Sequence, residues 1–409
     1  MSLAYRNTTR TARVIVLGYI VRCPLGGLAW HYLQYFLGLA RLHHDVYFVE
    51  DSDDVPWSCY DPTRNVTDTD PTYGLIFAKN TFGRVGLGDR WAYFDAHREQ
   101  WLGPCANRIR DICNSADLVL NISGANPLRP WLLEIPARAY IDTDPVYTQI
   151  RNIIDPTRRF RTTQHTVFFT FGENLIHNRS SIPVDHFPWQ PTRQPVVLDA
   201  WPVTPPPKHG KFTTVMQWDS DPSVEYDGYR YGMKSESFLD YLDLAEKAGT
   251  ILEIALGSVS APRDFLCNKG WRLRNPLEVT RDPWIYQKYI QDSKAEFSVA
   301  KHGYVVTKCG WFSERSASYL ASGRPVVIQD TGFSQWMETG TGVISFSTPE
   351  EALSGIGEII NRYEFHCRAA REIAEVYFDS KKVLTRLIES ALNPSALQSA
   401  DQIQLPKNE

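Results

Sequence analysis

The stretch KCGWFSERSASYLASGRPVVIQD, Lys308–Asp330, runs a glycine turn, a very short helix and a strand in immediate succession. Gly310 allows a tight turn, and Ser313 can cap a helix from about Glu314 to Ser322. Gly323 stops that helix, and Arg324-Pro325 hands the chain to the apolar run VVIQD. So short a helix buries little, which makes its free N–H groups the informative feature. Exposed in a cleft, they suit an anion such as a diphosphate. A capped connecting helix without any ligand fits the same residues.

Around this stretch the alternation of strand and helix repeats along the chain. RVIVLGYI (13–20) is a continuous apolar run fit for a buried parallel strand, followed by a loop with Pro24, Gly26 and Gly27. Trp30, Leu33, Leu37 and Ala40 then recur at helical spacing, and DVYFVED (45–51) is the next strand. ADLVLNIS (116–123), ARAYIDTD (137–144) and HTVFFTFGE (165–173) each run apolar into a polar or glycine-bearing loop. The proline-rich segment 188–210 cannot be a helix interior and reads as a stiff linker. Beyond it the pattern restarts with KFTTVMQW (211–218), a helix over 235–249 capped by Ser235, ILEIALG (251–257), a helix opened by Asp282-Pro283, and EFSVAK (296–301). A further helix starts at Thr348-Pro349, and helical spacing continues to about 392.

These elements predict an α/β protein of two doubly wound Rossmann-like domains facing across a cleft, with an aromatic-rich insertion in the first and a helical C-terminus. The expected divisions are a first, acceptor-binding domain over 1–195, a linker over 196–210 and a second, nucleotide-sugar-binding domain over 211–364. Helices over 365–392 should pack back toward the first domain, ahead of a polar tail, 393–409. A length of 409 residues suits two large domains at roughly 150 residues each.

A net charge of −4 argues against an extensive phosphate-neutralising surface. Nucleic acid is therefore not the expected partner, whereas a small anionic ligand is compatible. The seven cysteines include no C-x-x-C pair, which fits free thiols in a reducing compartment. No run reaches the roughly 18 apolar residues of a membrane span, and the N-terminus lacks the apolar centre of a signal peptide. Cytoplasmic residence is the default expectation.

The block VTKCGWFS followed by SGRPVVIQD resembles the donor-binding signature of the GT-B glycosyltransferases. Plant small-molecule glucosyltransferases share Cys-Gly-Trp, a Ser two residues on and Gly-x-Pro-Val-Val; bacterial group-1 enzymes share Gly-x-Pro-Val-Val and a following Asp, here Asp330. The resemblance implies that Lys308, Gly310, Trp311, Phe312, Ser313, Glu314 and Asp330 hold a nucleotide diphosphate sugar, UDP-linked by family habit, with Glu314 near the ribose. The opening loop with Gly26 and Gly27 is similar to the Gly-Gly element of the bacterial group. Arg230 and Lys234 resemble the cations those enzymes direct at the donor diphosphate, where they would offset charge on the leaving group without a metal. The loop Asn275 to Val279 would meet the base. Two departures stand out: Lys308 replaces the histidine of the plant signature, and Gly310 and Ser318 occupy the places of the two glutamates of retaining group-1 enzymes.

The implied function is transfer of a sugar from a nucleotide diphosphate sugar to a hydroxyl or other nucleophile on a small molecule, with no permanently bound cofactor. A nucleotide-sugar 2-epimerase, a transferase acting on modified nucleic acid and a non-catalytic nucleotide-sugar-binding subunit share the architecture. For the catalytic base, His31 sits one turn into the first helix, and Asp142 ends a strand; either can take a proton from an acceptor. Asp142-Thr-Asp144 matches the Asp-x-Asp metal pattern in letters but falls in the first half, where a plain loop explains it. The aromatics between Ser52 and Trp101 read as subdomain core or as an acceptor wall. Arg151, Arg158, Arg159 and Arg161 form either a solvated basic face or a contact for an anionic acceptor. Oligomeric state, sugar, acceptor and anomeric outcome are not encoded in any of these motifs.

Overall fold

The computed structural model describes residues 11–176 and 179–393. Nearly all of the expected polar tail, 394–409, lies outside the described residues. The first domain holds β1 (Arg13–Leu17), β2 (Asp45–Asp51), a hairpin of β3 (Cys59–Asp61) and β4 (Val66–Asp68), β5 (Trp91–Asp95), β6 (Gln100–Leu102), β7 (Leu118–Ile122), β8 (Ala137–Asp142), β9 (Val167–Thr170) and β10 (Trp189–Pro191). Its main sheet runs β10-β9-β8-β7-β1-β2-β5-β6, parallel except where β6 turns back along β5.

The second domain holds β11 (Phe212–Gln217), a hairpin of β12 (Val224–Tyr226) and β13 (Tyr229–Tyr231), β14 (Leu252–Gly257), β15 (Arg272–Arg274), β16 (Ala295–Ser298), β17 (Val326–Gln329) and β18 (Val343–Phe346). Its main sheet is parallel throughout in the order β15-β14-β11-β16-β17-β18. In both sheets the winding direction reverses next to the domain's first strand, between β1 and β7 and between β11 and β16. Such reversals open a crevice at the carboxyl ends of the strands, where α/β folds bind ligands.

The continuous apolar run of β1 follows from burial on both faces. Val14 and Val16 pack into one cluster with Leu33 and Phe36 of the helix Gly26–Arg41, while Ile15 and Leu17 face a second cluster with Ile109 and Leu132. The aromatics of the insertion are mostly core: Phe82 sits between Phe36, Phe48 and Trp91 at ring separations of 5.3, 5.1 and 5.7 Å. Trp57 is the exception, 66% exposed.

Local signals for helix starts act as their chemistry dictates. Ser313, Asp282 and Thr348 each accept a backbone N–H of the helix they precede, and Thr348 forms a reciprocal capping box with Glu351. Gly323 adopts φ +70°, as a helix stop requires. Arg324, almost fully buried, donates to the carbonyls of Gln291, Thr204 and Pro205, so the quoted stretch also anchors the linker.

Three expectations change. The proline-rich segment is not linker from its start, because Trp189–Pro191 is the edge strand β10, a position that spares Pro191 a ladder donor. The helix expected over 235–249 is split into Lys234–Phe238, a 3-10 turn at Leu239–Tyr241 and Leu244–Ala248; Ser235 caps nothing, because its hydroxyl donates to Asp219. Residues Pro276–Thr280 are a helix capped by Asn275 rather than a loop. At the C-terminus the helix Ser380–Leu392 lies on the first domain: Leu384 approaches so closely that a Cβ on Gly38 would sit 2.5 Å from it.

Candidate functional site

The loops that leave the two sheets meet. Lys301, just past β16, forms an ion pair of 2.8 Å with Asp144, just past β8, and Tyr304 donates its hydroxyl to the same carboxylate. Trp311 Nε1 donates to the Thr143 carbonyl at 3.1 Å, and Trp30 Nε1 to the Pro283 carbonyl at 2.7 Å. Asn174 reaches across with its amide to the carbonyls of Lys308 and Gly332, at 2.8 and 2.9 Å. The Asn174 side chain and backbone fill the space beside Gly310, where φ is +82° and a Cβ would lie 2.9 Å from both. Glycine is required there by backbone sign and by contact.

The second domain's reversal point is charged. Arg315, in the first turn of the helix Glu314–Ala321, is buried and donates to Glu296 Oε1 at 2.6 Å, to the Val215 carbonyl at 2.7 Å and to Ser298 Oγ at 2.9 Å. These partners lie on β11 and β16, so Arg315 fastens the helix start over the crevice while Glu296 cancels its charge. Lys234 opens the helix Lys234–Phe238 beside this pair. It is half-buried, and among the described residues its ammonium has neither a hydrogen bond nor an ion pair. Burial, and then the Arg315 charge, push its pKa down to about 7, against the pull of Glu296 and Glu314.

The remaining donor candidates fall into different settings. The Glu314 carboxylate has no bonded partner among the described residues and faces His31 across a cavity of about 10 Å³, lined also by Tyr35, Gln194 and Tyr286. Ser313 and Ser316 face another of about 20 Å³. Each is near the lower limit for a single water, so the open helix N-terminus expected from the sequence is largely covered in this arrangement. Phe312 is core, stacked on Phe378 at 5.0 Å. Lys308 and Asp330 stand 3.8 Å apart, and Asp330 accepts from Gly332 N and the Ser334 hydroxyl, fixing a turn.

Arg230 stands in a different setting from Lys234. It sits on the exposed hairpin strand β13, bound by Glu236 at 3.0 Å and Glu225 at 3.4 Å, so its charge is already met. Gly26 and Gly27 are explained by interdomain packing: a Cβ on Gly26 would lie 2.5 Å from the Asp282 carbonyl oxygen, and one on Gly27 3.2 Å from the Tyr286 ring.

Of the two base candidates, His31 is half-buried, and burial holds its pKa below the usual histidine value despite Glu314. Burial thus favours the neutral imidazole, the form that can accept a proton. Asp142 is fully buried and accepts from Gln149, Thr148, Thr170 and the Asp144 backbone at 2.9, 2.7, 2.7 and 3.0 Å. Burial raises its pKa to about 6. Its oxygens are saturated by the protein, so in this arrangement Asp142 shapes the loop that presents Asp144. Glu50 does the same for the loop after β1, accepting the N–H groups of Ile20, Val21 and Arg22 at 2.6 to 2.8 Å.

The sequence reading leaves out Lys301 and Glu296, and it takes Asp144 as part of a plain loop. Lys301 ends the predicted strand EFSVAK, and strand-end position was the available signal; the pairing across domains has none. The first domain's own reversal point holds a cavity of about 210 Å³, bounded by Tyr19, Ser123, Tyr140 and Asp144. Among the described residues no three His, Cys, Asp or Glu side chains are grouped as a metal site, and no helix is long and apolar enough to cross a membrane.

No protein-family model matches the chain, and no curated protein matches it in sequence. Solved structures do match in fold. An alpha-glucosyltransferase in complex with UDP and a 13-mer DNA is similar at a TM-score of 0.57 and 10% identity, over 93% of this chain and 99% of the other. The same enzyme in complex with UDP alone gives 0.56 at 10% identity, over 93% and 99%. Sucrose-phosphate synthase from Thermosynechococcus elongatus gives 0.51 at 10% identity, over 95% and 100%. The chain has the GT-B fold of two facing Rossmann-like domains.

Proposed function

We propose that the chain is a glycosyltransferase that takes a sugar from a nucleoside diphosphate sugar, UDP-linked, and passes it to a hydroxyl of an acceptor seated in the first domain. The observation that carries this reading is Lys234: a half-buried cation without a partner among the described residues, at the strand-end crevice where this fold class binds its ligands. A buried charge left unpaired is costly, and a diphosphate is the partner that removes the cost. Structures of similar fold in complex with UDP and with UDP-glucose support the nucleotide class.

In the reaction the acceptor oxygen bonds to the anomeric carbon as the bond from that carbon to the phosphate oxygen breaks. The electron pair leaves with the nucleoside diphosphate, whose growing charge is offset by Lys234. The acceptor proton passes to neutral His31, with Glu314 opposite to stabilise the imidazolium. Reaching His31 requires the helix Pro283–Gln291 to draw back from Gly26-Gly27, a motion of the kind that two-domain clefts make.

The test is calorimetric titration with UDP. Lys234→Ala should weaken binding about tenfold or more, the worth of one charge-assisted contact. Equal affinity in the two proteins would overturn the reading, as would epimer formation from a UDP-sugar without acceptor.

A further inference from the structure

The first domain's crevice carries a chemistry that donor binding leaves unused. Its cavity of about 210 Å³ adjoins a second of about 350 Å³, and Tyr19, Ser123, Gly124, Arg158 and Arg161 line both. Its floor is built from uncharged amides and rings. Asn121 donates to the Asn126 carbonyl and lies 3.1 Å from His165 Nε2, and burial keeps His165 uncharged by lowering its pKa to about 4. Tyr140 stands edge-on to His165 at 5.0 Å.

The mouth is cationic although the whole chain is acidic. Arg161 is matched by Asp53 at 2.9 Å, and Arg22 lies 3.5 Å from buried Glu50. Arg151 has only distant partners, Asp144 at 3.8 Å and Asp221 at 3.7 Å. Arg158 has no side-chain partner among the described residues. Two arginines at one rim are thus weakly paired or unpaired, above a floor of amides and rings. A simple sugar needs no such rim, and an aliphatic acceptor needs no such floor.

We infer that the acceptor is a nucleotide, free or within a single strand, with its base against the rings of Tyr19 and Tyr140 and its phosphate on Arg158 and Arg151. The inference rests on the proposed glycosyl transfer for the word acceptor, but the binding itself does not depend on that reading. The rings of Tyr19 and Tyr140 match the face of a base, and a guanidinium fork matches a phosphate. Net charge counted over the whole chain hides a local site of this kind.

The experiment measures anisotropy of a fluorescent single-stranded oligothymidylate, with unlabelled thymidine and thymidine monophosphate as competitors. Either phosphate-bearing probe should bind about tenfold or more tightly than thymidine. Arg158→Glu should abolish that preference, whereas Lys234→Ala should leave it intact and weaken UDP instead. Whichever of oligomer and monophosphate binds more tightly identifies the source of the phosphate. Equal binding of all three probes, or a preference that survives Arg158→Glu, overturns the inference. Loss of UDP binding in Lys234→Ala with no phosphate preference would defeat it while sparing the donor assignment.

Discussion

If Lys234 is the cation that receives the diphosphate, donor affinity must follow its protonation. In the free protein it titrates at about 7, lowered by burial and by Arg315, with Lys301 adding to the effect and Glu296 and Glu314 opposing it. A bound diphosphate stabilises the charged form and raises that pKa, so binding takes up a proton. The sign follows: affinity is greatest below about pH 7 and falls as pH rises, because a growing fraction of the free protein must first be protonated. About one molecule in eleven is competent at pH 8 and about one in a hundred at pH 9, a loss of roughly tenfold or ~1.4 kcal/mol per unit. The nucleotide's terminal phosphate, with a second pKa near 6, has already lost its proton across this range. Calorimetry in buffers of different ionisation enthalpy gives both affinity and proton uptake, which should approach one per UDP at about pH 9. Lys234→Arg, permanently charged, should bind with no such slope. A wild-type affinity that stays flat from about pH 7 to 9, or a slope that persists in Lys234→Ala, would refute the reasoning.

Arg315→Met leaves Glu296 buried and unpaired and should cost about 3–5 kcal/mol in chemical denaturation, while adding Glu296→Gln should restore a large part of it. Equal destabilisation by the single and double variants would show that the pair is not coupled. Asp142 has a folded pKa raised to about 6, so its contribution is fully present below about pH 4 and is lost as pH rises through 6. Wild type should therefore gain on Asp142→Asn by on the order of 3 kcal/mol when both are acidified from pH 7 to 4, and a constant difference would contradict this.

Much of the fold was legible because its signals are local. RVIVLGYI, the Ser313, Asp282 and Thr348 caps and Gly323 each act within a few residues, and the structure uses each in the expected way. The position of Lys234 at a helix start was also legible, whereas its part in donor binding rests on the resemblance. Arg230 was grouped with it by the same resemblance, yet the hairpin β12-β13 turns it toward Glu225 and Glu236. Gly26 and Gly27 looked like a ligand cradle because close backbone approach leaves the same residue whether the neighbour is a ligand or another helix. Asp144 and Lys301 were invisible as a pair because 157 residues separate them, and nothing local announces a contact between domains.

Hydrogen exchange with and without UDP tests the central claim most directly, because it reports where the nucleotide sits without relying on turnover. Protection should concentrate in Gly232–Phe238 and Gly310–Ser318, the segments around Lys234 and the start of the helix Glu314–Ala321. Protection confined to the first-domain loops around Tyr19, Ser123 and Arg158, or absent altogether, would contradict the account.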